Sequence, residues 1–123
     1  TGDGSNFGNL GQANNQLTGA SNDTRAFFAG GNENGSITDT INYVTIASLG
    51  NSSDFGNLIE DRRLATACAS TTRGLIGGGI GSGTGKDNRI QLITIGSTGN
   101  ATDFGDLTSS RYSPEATATY GGV

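Results

Sequence analysis

The strongest constraint on this chain is that it repeats itself. Phe7, Phe55 and Phe104 recur at spacings of 48 and 49 residues, and their neighbours recur with them. Asn6-Phe7-Gly8-Asn9-Leu10 returns as Asp54-Phe55-Gly56-Asn57-Leu58 and again as Asp103-Phe104-Gly105-Asp106-Leu107. Arg25-Ala26-Phe27-Phe28, followed by Gly30-Gly31, matches Arg73-Gly74-Leu75-Ile76, followed by Gly78-Gly79. Ile41-Asn42-Tyr43-Val44-Thr45-Ile46 matches Ile90-Gln91-Leu92-Ile93-Thr94-Ile95. The one-residue difference in length falls in the loop after the glycine pair, where an insertion costs least. The 123 residues thus form one repeat region: a partial repeat over 1–10, full repeats over 11–58 and 59–107, and a partial repeat over 108–123.

Composition decides what kind of repeat this is. Twenty-two glycines, one proline and abundant Asn, Ser and Thr suit short strands and tight turns, whereas long helices want Ala, Leu, Glu and Lys. The fold class is therefore all-β. Each full repeat divides into four short strands: a over 64–70, b over 73–78, c over 90–95, and d around Phe55 or Phe104. Strand a alternates Ala65, Ala67 and Ala69 with Thr66 and Cys68, so it is built from small residues. Strand c is apolar on both faces, with Ile41 and Tyr43 pointing one way and Val44 and Ile46 the other. A period of 40 to 50 residues with strand-like content points to four-stranded antiparallel propeller blades, in which sheets meet a neighbour on each side and small innermost strands converge on an axis.

On these residues the chain resembles the kelch repeat of β-propellers, the superfamily that includes the propeller domain of galactose oxidase. The glycine pairs Gly30-Gly31 and Gly78-Gly79 stand where that repeat ends its second strand, and Arg62 and Arg111 stand where it places an Arg before the next blade. The sequence departs from the pattern in having Phe7, Phe55 and Phe104 at the Trp position and Asn14 at the first Arg position. Phe-Gly and Asn-rich variants of this type look similar to repeat proteins of marine phages and bacteria, tail-fibre components among them. The resemblance implies an incomplete propeller of about two and a half repeats. Such a segment closes only as an excerpt of a longer chain or together with further copies, and open sheet edges invite that pairing.

The triplet Asp-Phe-Gly at 54–56 and 103–105 also spells a kinase motif, in which the Asp holds magnesium. The chain has no histidine, which removes the catalytic H-R-D loop, and its single lysine, Lys86, lies in a Gly-rich run that lacks the Gly and Ser/Thr of a phosphate loop. The absence of histidine also removes Ser-His-Asp and Cys-His catalysis and the commonest zinc sites. The copper and radical ligands of galactose oxidase find no counterpart, so the resemblance carries over no catalytic residue, cofactor or metal. Cys68 aligns with Ala20 and Thr117 and reads as a small inner-strand residue. Glu60-Asp61 beside Arg62 and Arg63 reads as a solvated charge cluster rather than an acid-base pair. Asp3, Asp39, Asp87 and Asn88 offer oxygen ligands in polar loops, but in no calcium-loop spacing.

With a formal charge of −4 and seven basic residues, the chain has no footprint for nucleic acid, and no apolar run is long enough for membrane insertion. It shows neither a signal peptide nor an initiating Met, as expected of a processed product or an excerpt. What remains is binding. In an antiparallel meander the b-to-c and d-to-a loops share one end, and that end gathers Asn32, Glu33, Asn34, Lys86, Asp87, Asn88 and Arg89 with Arg62 and Arg111 as candidate ligand-facing residues. Sequons at Asn51 and Asn100, in equivalent places, and at Asn22 and Asn34 are candidate glycosylation sites. Phe7, Phe55, Phe104, Leu10, Leu58 and Leu107 are the expected structural core of the repeat. The function expected is a non-enzymatic structural and adhesive module of an extracellular or virion-surface assembly, such as a phage tail fibre, binding a cell-surface glycan or protein. The alternatives are a self-assembling block of a fibre or ring, and an excerpt of a propeller enzyme whose catalytic residues lie elsewhere. The expected partners are copies of itself or the rest of a longer propeller chain.

Overall fold

The computed structural model describes residues 2–83 and 85–118, and these contain strands and no helix. Two four-stranded antiparallel sheets follow one another along the chain. The first contains β1 (Thr18–Ser21), β2 (Arg25–Ala29), β5 (Thr40–Thr45) and β6 (Ser53–Asn57), in the order β1-β2-β5-β6. The second contains β7 (Thr66–Ala69), β8 (Arg73–Gly77), β11 (Arg89–Thr94) and β12 (Thr102–Asp106), in the order β7-β8-β11-β12. Each strand predicted for the two full repeats is found within one or two residues of its expected bounds, while the described residues of the partial repeat at 108–123 form no strand.

Between the second and third strand of each sheet lies an element that the sequence reading leaves as loop. It is a two-stranded ribbon, β3 (Asn32–Glu33) with β4 (Ser36–Ile37) in the first case and β9 (Ile80–Gly81) with β10 (Gly85–Lys86) in the second. Strands of two residues are too short for alternation to register in a sequence. The partial repeat at 1–10 also differs from expectation, since Phe7 and its neighbours form no strand.

Both sheets carry the same bulge. Ile41 faces Gly56 while Asn42 faces Asp54, so Phe55 is the extra residue. Ile90 faces Gly105 while Gln91 faces Asp103, so Phe104 is the extra residue. A bulge re-aims its side chain relative to the pleat. Phe55 is thereby turned into the layer between the sheets, where its ring meets Tyr43 edge-on, centroids 5.8 Å apart at 81°.

The core is made from unlike faces. Phe27, Ala29, Ile41, Phe55 and Leu58 of the first sheet pack against Ile76, Ile93, Ile95 and Ala101 of the second. Gly74 makes room for this, because a Cβ there would lie 2.7 Å from the Phe27 ring. A buried aliphatic or aromatic side chain contributes about 1.5–3 kcal/mol by leaving water, so this layer carries much of the stability. β1 lies beside β7, and residues 116–118 continue the row, so that Ala20, Cys68 and Thr117 line one open cleft of about 370 Å³.

The outward faces are left partly uncovered. On the first sheet Phe28 and Val44 are half-buried and Ile46 is 44 % exposed, whereas their counterparts Ile76, Ile93 and Ile95 are buried. On the second sheet Leu75 and Leu92 are half-buried and Phe104 is 52 % exposed, against 3 % for Phe55. Of the expected repeat core, Phe55 and Leu58 are buried, Phe7, Leu10 and Leu107 are half-buried, and Phe104 is exposed.

Candidate functional site

The end of the molecule that gathers the ribbons and the loops before strands β1 and β7 is pinned by backbone. Asn15 bridges to Asn32, and Arg63 bridges to Ile80, so each preceding loop is paired with the ribbon of its own sheet. Each sheet is also tied here to the segment that follows its last strand. The N–H of Gly31 donates to the carbonyl of Arg62 at 2.7 Å, and that of Gly79 donates to Arg111 at 2.9 Å. Gly30 adopts φ +63°, and a Cβ there would strike the Arg62 carbonyl oxygen. The glycine pair therefore marks a close approach between a sheet and that segment, at a backbone conformation that L side chains rarely adopt.

Arg62 is counted among the ligand-facing residues by its loop position, and the structure corrects this. It is 1 % exposed. Its Nη1 donates to the Gly78 carbonyl at 2.9 Å, while its Nη2 is paired with the Asp87 carboxylate and lies 3.8 Å from Glu60. Glu60 in turn meets Arg89 at 3.3 Å. A buried guanidinium needs such a set of acceptors, because leaving it unpaired in the interior costs several kcal/mol. Glu60 thus belongs to an ion network instead of a free charge cluster, and Asp61 accepts hydrogen bonds from the backbone and the hydroxyl of Ser82.

The first sheet solves the same problem without charge. Asn14 donates from Nδ2 to the Gly30 carbonyl at 2.8 Å, in the place of the Arg62 bond to Gly78. Thr38 and Thr40, which stand where Asp87 and Arg89 do, share a hydrogen bond between their hydroxyls at 2.9 Å. The departure at Asn14 is therefore a consistent neutral version of the network.

Burial on its own would raise the Asp87 carboxyl's pKa. The backbone N–H of Arg89, the Arg62 guanidinium and the backbone N–H of Asn88 outweigh it, and the net shift is downward. Burial pulls the Arg89 guanidinium down, and the carboxylates of Glu60, Asp87 and Asp103 together more than offset this, so its pKa is raised. With its carboxylate engaged by Arg62, Asp87 is poorly placed to ligate a cation. Among the described residues no three His, Cys, Asp or Glu side chains come together as a metal site.

Of the remaining candidates, Asn88 is half-buried and its Nδ2 donates to the Leu107 carbonyl at 3.4 Å. Asn32 is half-buried and its Oδ1 accepts from the Gly35 N–H at 2.9 Å, closing the turn of the first ribbon. Glu33 is half-buried and Asn34 exposed at the ribbon tip. Lys86 is exposed, with its ammonium 5.1 Å from the centroid of the Tyr112 ring. Arg111 is exposed, and among the described residues its side chain bonds to Ser109, Nη2 donating to the hydroxyl at 2.7 Å. The exposed set is therefore Asn34, Lys86, Arg111 and Tyr112, and Tyr112 is one that sequence reasoning missed. Its position just after Arg111 was the available signal.

No family model matches the chain, and no curated protein matches it.

The sequons separate into three kinds. Asn22 is 9 % exposed; its Oδ1 accepts from the N–H groups of Thr24 and Arg25, and its Nδ2 donates to the Thr71 carbonyl at 2.9 Å. A glycan on that nitrogen is incompatible with this bond, which corrects Asn22 as a candidate. Asn51 and Asn100 are exposed, and their Oδ1 atoms accept from the backbone N–H groups of Asn9 and Asn57, both at 3.0 Å. Their recurrence thus has a structural cause that leaves Nδ2 unused. Asn34 is exposed at a tip.

Proposed function

We propose that this chain is a stack of kelch-like propeller blades serving as a non-enzymatic structural and adhesive module on the outside of a cell or virion, in an assembly such as a phage tail fibre. The observation that carries the reading is one backbone bond made twice at the ribbon end, from Gly31 of the first sheet to Arg62 in the loop before β7 and from Gly79 of the second sheet to Arg111 in the segment after β12. It lets further sheets be added without altering the ones before, which is what a radial or linear stack requires. The four-stranded order with small residues along the inner strands is consistent with blades.

The adhesive part of the reading rests on Asn34, Lys86, Arg111 and Tyr112, which are exposed next to a rigid base. An exposed aromatic ring beside the cationic Lys86 and Arg111 suits the apolar face and hydroxyls of a sugar, or a polar protein surface. Binding of the chain to a glycan array, lost on Tyr112→Ala with Lys86→Ala, is the expected result. Background signal across the array for the folded chain would remove the glycan reading. A second reading, the self-assembling block, is favoured by the exposed Phe104.

A further inference from the structure

One seat in this fold occurs twice, and its two occupants are unequal. In the second sheet the Gly99–Ala101 turn receives β6: Gly99 N–H donates to Phe55 at 2.8 Å, Ala101 N–H donates to Asn57 at 2.8 Å, and Asn57 N–H donates to Asn100 Oδ1 at 3.0 Å. In the first sheet the Gly50–Ser52 turn makes the same three bonds to residues 7–9: Gly50 N–H to Phe7 at 2.9 Å, Ser52 N–H to Asn9 at 2.9 Å, and Asn9 N–H to Asn51 Oδ1 at 3.0 Å. Behind β6 stands a whole sheet, which covers Ile76, Ile93 and Ile95. Behind residues 7–9 there is none, and an apolar hollow of about 290 Å³ opens between Phe7, Leu10, Phe28, Val44 and Ile46.

At the other end, β12 has the sheet and lacks the seat. Phe104 is 52 % exposed, and among the described residues no turn bonds to the outer edge of β12. A Cβ at Gly8 would collide with Gly50 and one at Gly56 with Gly99, whereas one at Gly105 would meet nothing. Arg25 reaches from the first sheet to the Ile95 carbonyl of the second at 2.9 Å, and its counterpart Arg73 is exposed.

We infer that two copies of this chain join head to tail, with Phe104-Gly105-Asp106 of one copy replacing Phe7-Gly8-Asn9 on the Gly50–Ser52 turn of the other. The inference rests on the stacked-module reading and adds its partner and its control. The partner is a second copy, because its first sheet presents Phe28, Val44 and Ile46 where the buried interface presents Ile76, Ile93 and Ile95. The control lies in residues 7–10 of the receiving copy, which occupy the seat, and residues 108–118 of the incoming copy, which stand after β12 as residues 11–21 stand after residues 7–10 and would overlap them; both segments must be displaced. Arg73 of one copy then meets the Ile46 carbonyl of the other, as Arg25 meets Ile95. Such a contact joins two different surfaces, so it propagates to a ring or a filament and has no twofold axis.

Sedimentation velocity of the 123-residue chain over a range of concentrations tests this, with circular dichroism to check that each variant is folded. The expected result is a monomer in equilibrium with larger species, a shift toward those species for Phe7→Asp, and their loss for Phe104→Asp and for the double variant. Monomer throughout for both the parent chain and Phe7→Asp overturns the inference, and leaves other blades of a longer chain as the covering partner. Larger species that survive Phe104→Asp overturn it as well, because association then uses another surface. Either failure leaves the intramolecular stacking reading standing, which falls only if the Phe55 interface itself proves dispensable.

Discussion

The backbone N–H of Gly99 donates to the carbonyl of Phe55 at 2.8 Å, so the bulged residue of the first sheet is also an anchor for the second. One residue thus joins two kinds of contact: its ring fills the layer between the sheets, and its carbonyl fixes their register.

Truncating Phe55 is therefore expected to cost about 3–5 kcal/mol, the usual range for a buried Phe→Ala change. Phe104→Ala at the equivalent but exposed position should stay within about 0.5 kcal/mol in the monomer. Asp54→Ala, at an exposed side chain with no hydrogen bond to the described residues, should stay within about 0.5 kcal/mol. Urea denaturation at low protein concentration ranks the three, and a dominant, metal-dependent effect at Asp54 would reopen the magnesium-site reading of the triplet.

Gly56→Ala and Gly105→Ala separate conformation from contact. Both glycines have φ +147°, so both substitutions carry the same backbone strain, about 1 kcal/mol or more. Only at position 56 would the new Cβ collide with Gly99. The expected outcome is a clearly larger loss of stability for Gly56→Ala, measured by thermal unfolding. Equal losses would mean that the sheets do not approach as closely as described.

Arg62→Ala leaves Asp87 without its guanidinium partner and is expected to cost about 3–5 kcal/mol, as for breaking a buried pair from one side. The triple exchange Arg62→Asn, Asp87→Thr and Arg89→Thr copies the first sheet's neutral solution into the second. It should recover most of that loss, and a thermodynamic cycle across the variants measures the coupling. A triple variant as unstable as Arg62→Ala would show that the two networks are not interchangeable.

Acid should act on the second sheet. The Asp87 carboxyl titrates lower in the folded chain than in the unfolded one. Its stabilising contribution is accordingly complete above its unfolded value, about 3.9, and is lost as pH falls through the lower folded value. Unfolding free energies measured between neutral pH and pH 2 should fall less steeply for Asp87→Asn than for the parent chain. Parallel curves would remove Asp87 as the source.

How much of this was legible in the residues depends on the range of the signal. The strands were, because the alternation in β7, the apolar runs of β5 and β11 and the repeated Phe-Gly step are local patterns. The ribbons were not, since two-residue strands leave no periodicity. Arg62 was misplaced because loop position says nothing about whether a neighbouring glycine pair and a distant Asp87 close over it. The recurrence of Asn51 and Asn100 was visible, but its cause lies in a backbone N–H more than 40 residues away. Tyr112 was passed over because its one signal, standing next to Arg111, does not recur: Arg62 is followed by Arg63 and Asn14 by Asn15.

The ribbons have one more consequence. Each is clamped at its base, Asn15 to Asn32 and Arg63 to Ile80, while the tips at Asn34-Gly35 and Ser82-Gly83 are exposed. A tip held this way is free to vary in length and sequence while the sheets beneath stay unchanged, as the extra residue in the second copy already illustrates. The molecule is in that sense a display frame: foreign peptides grafted at either tip would be presented at fixed spacing on a constant support.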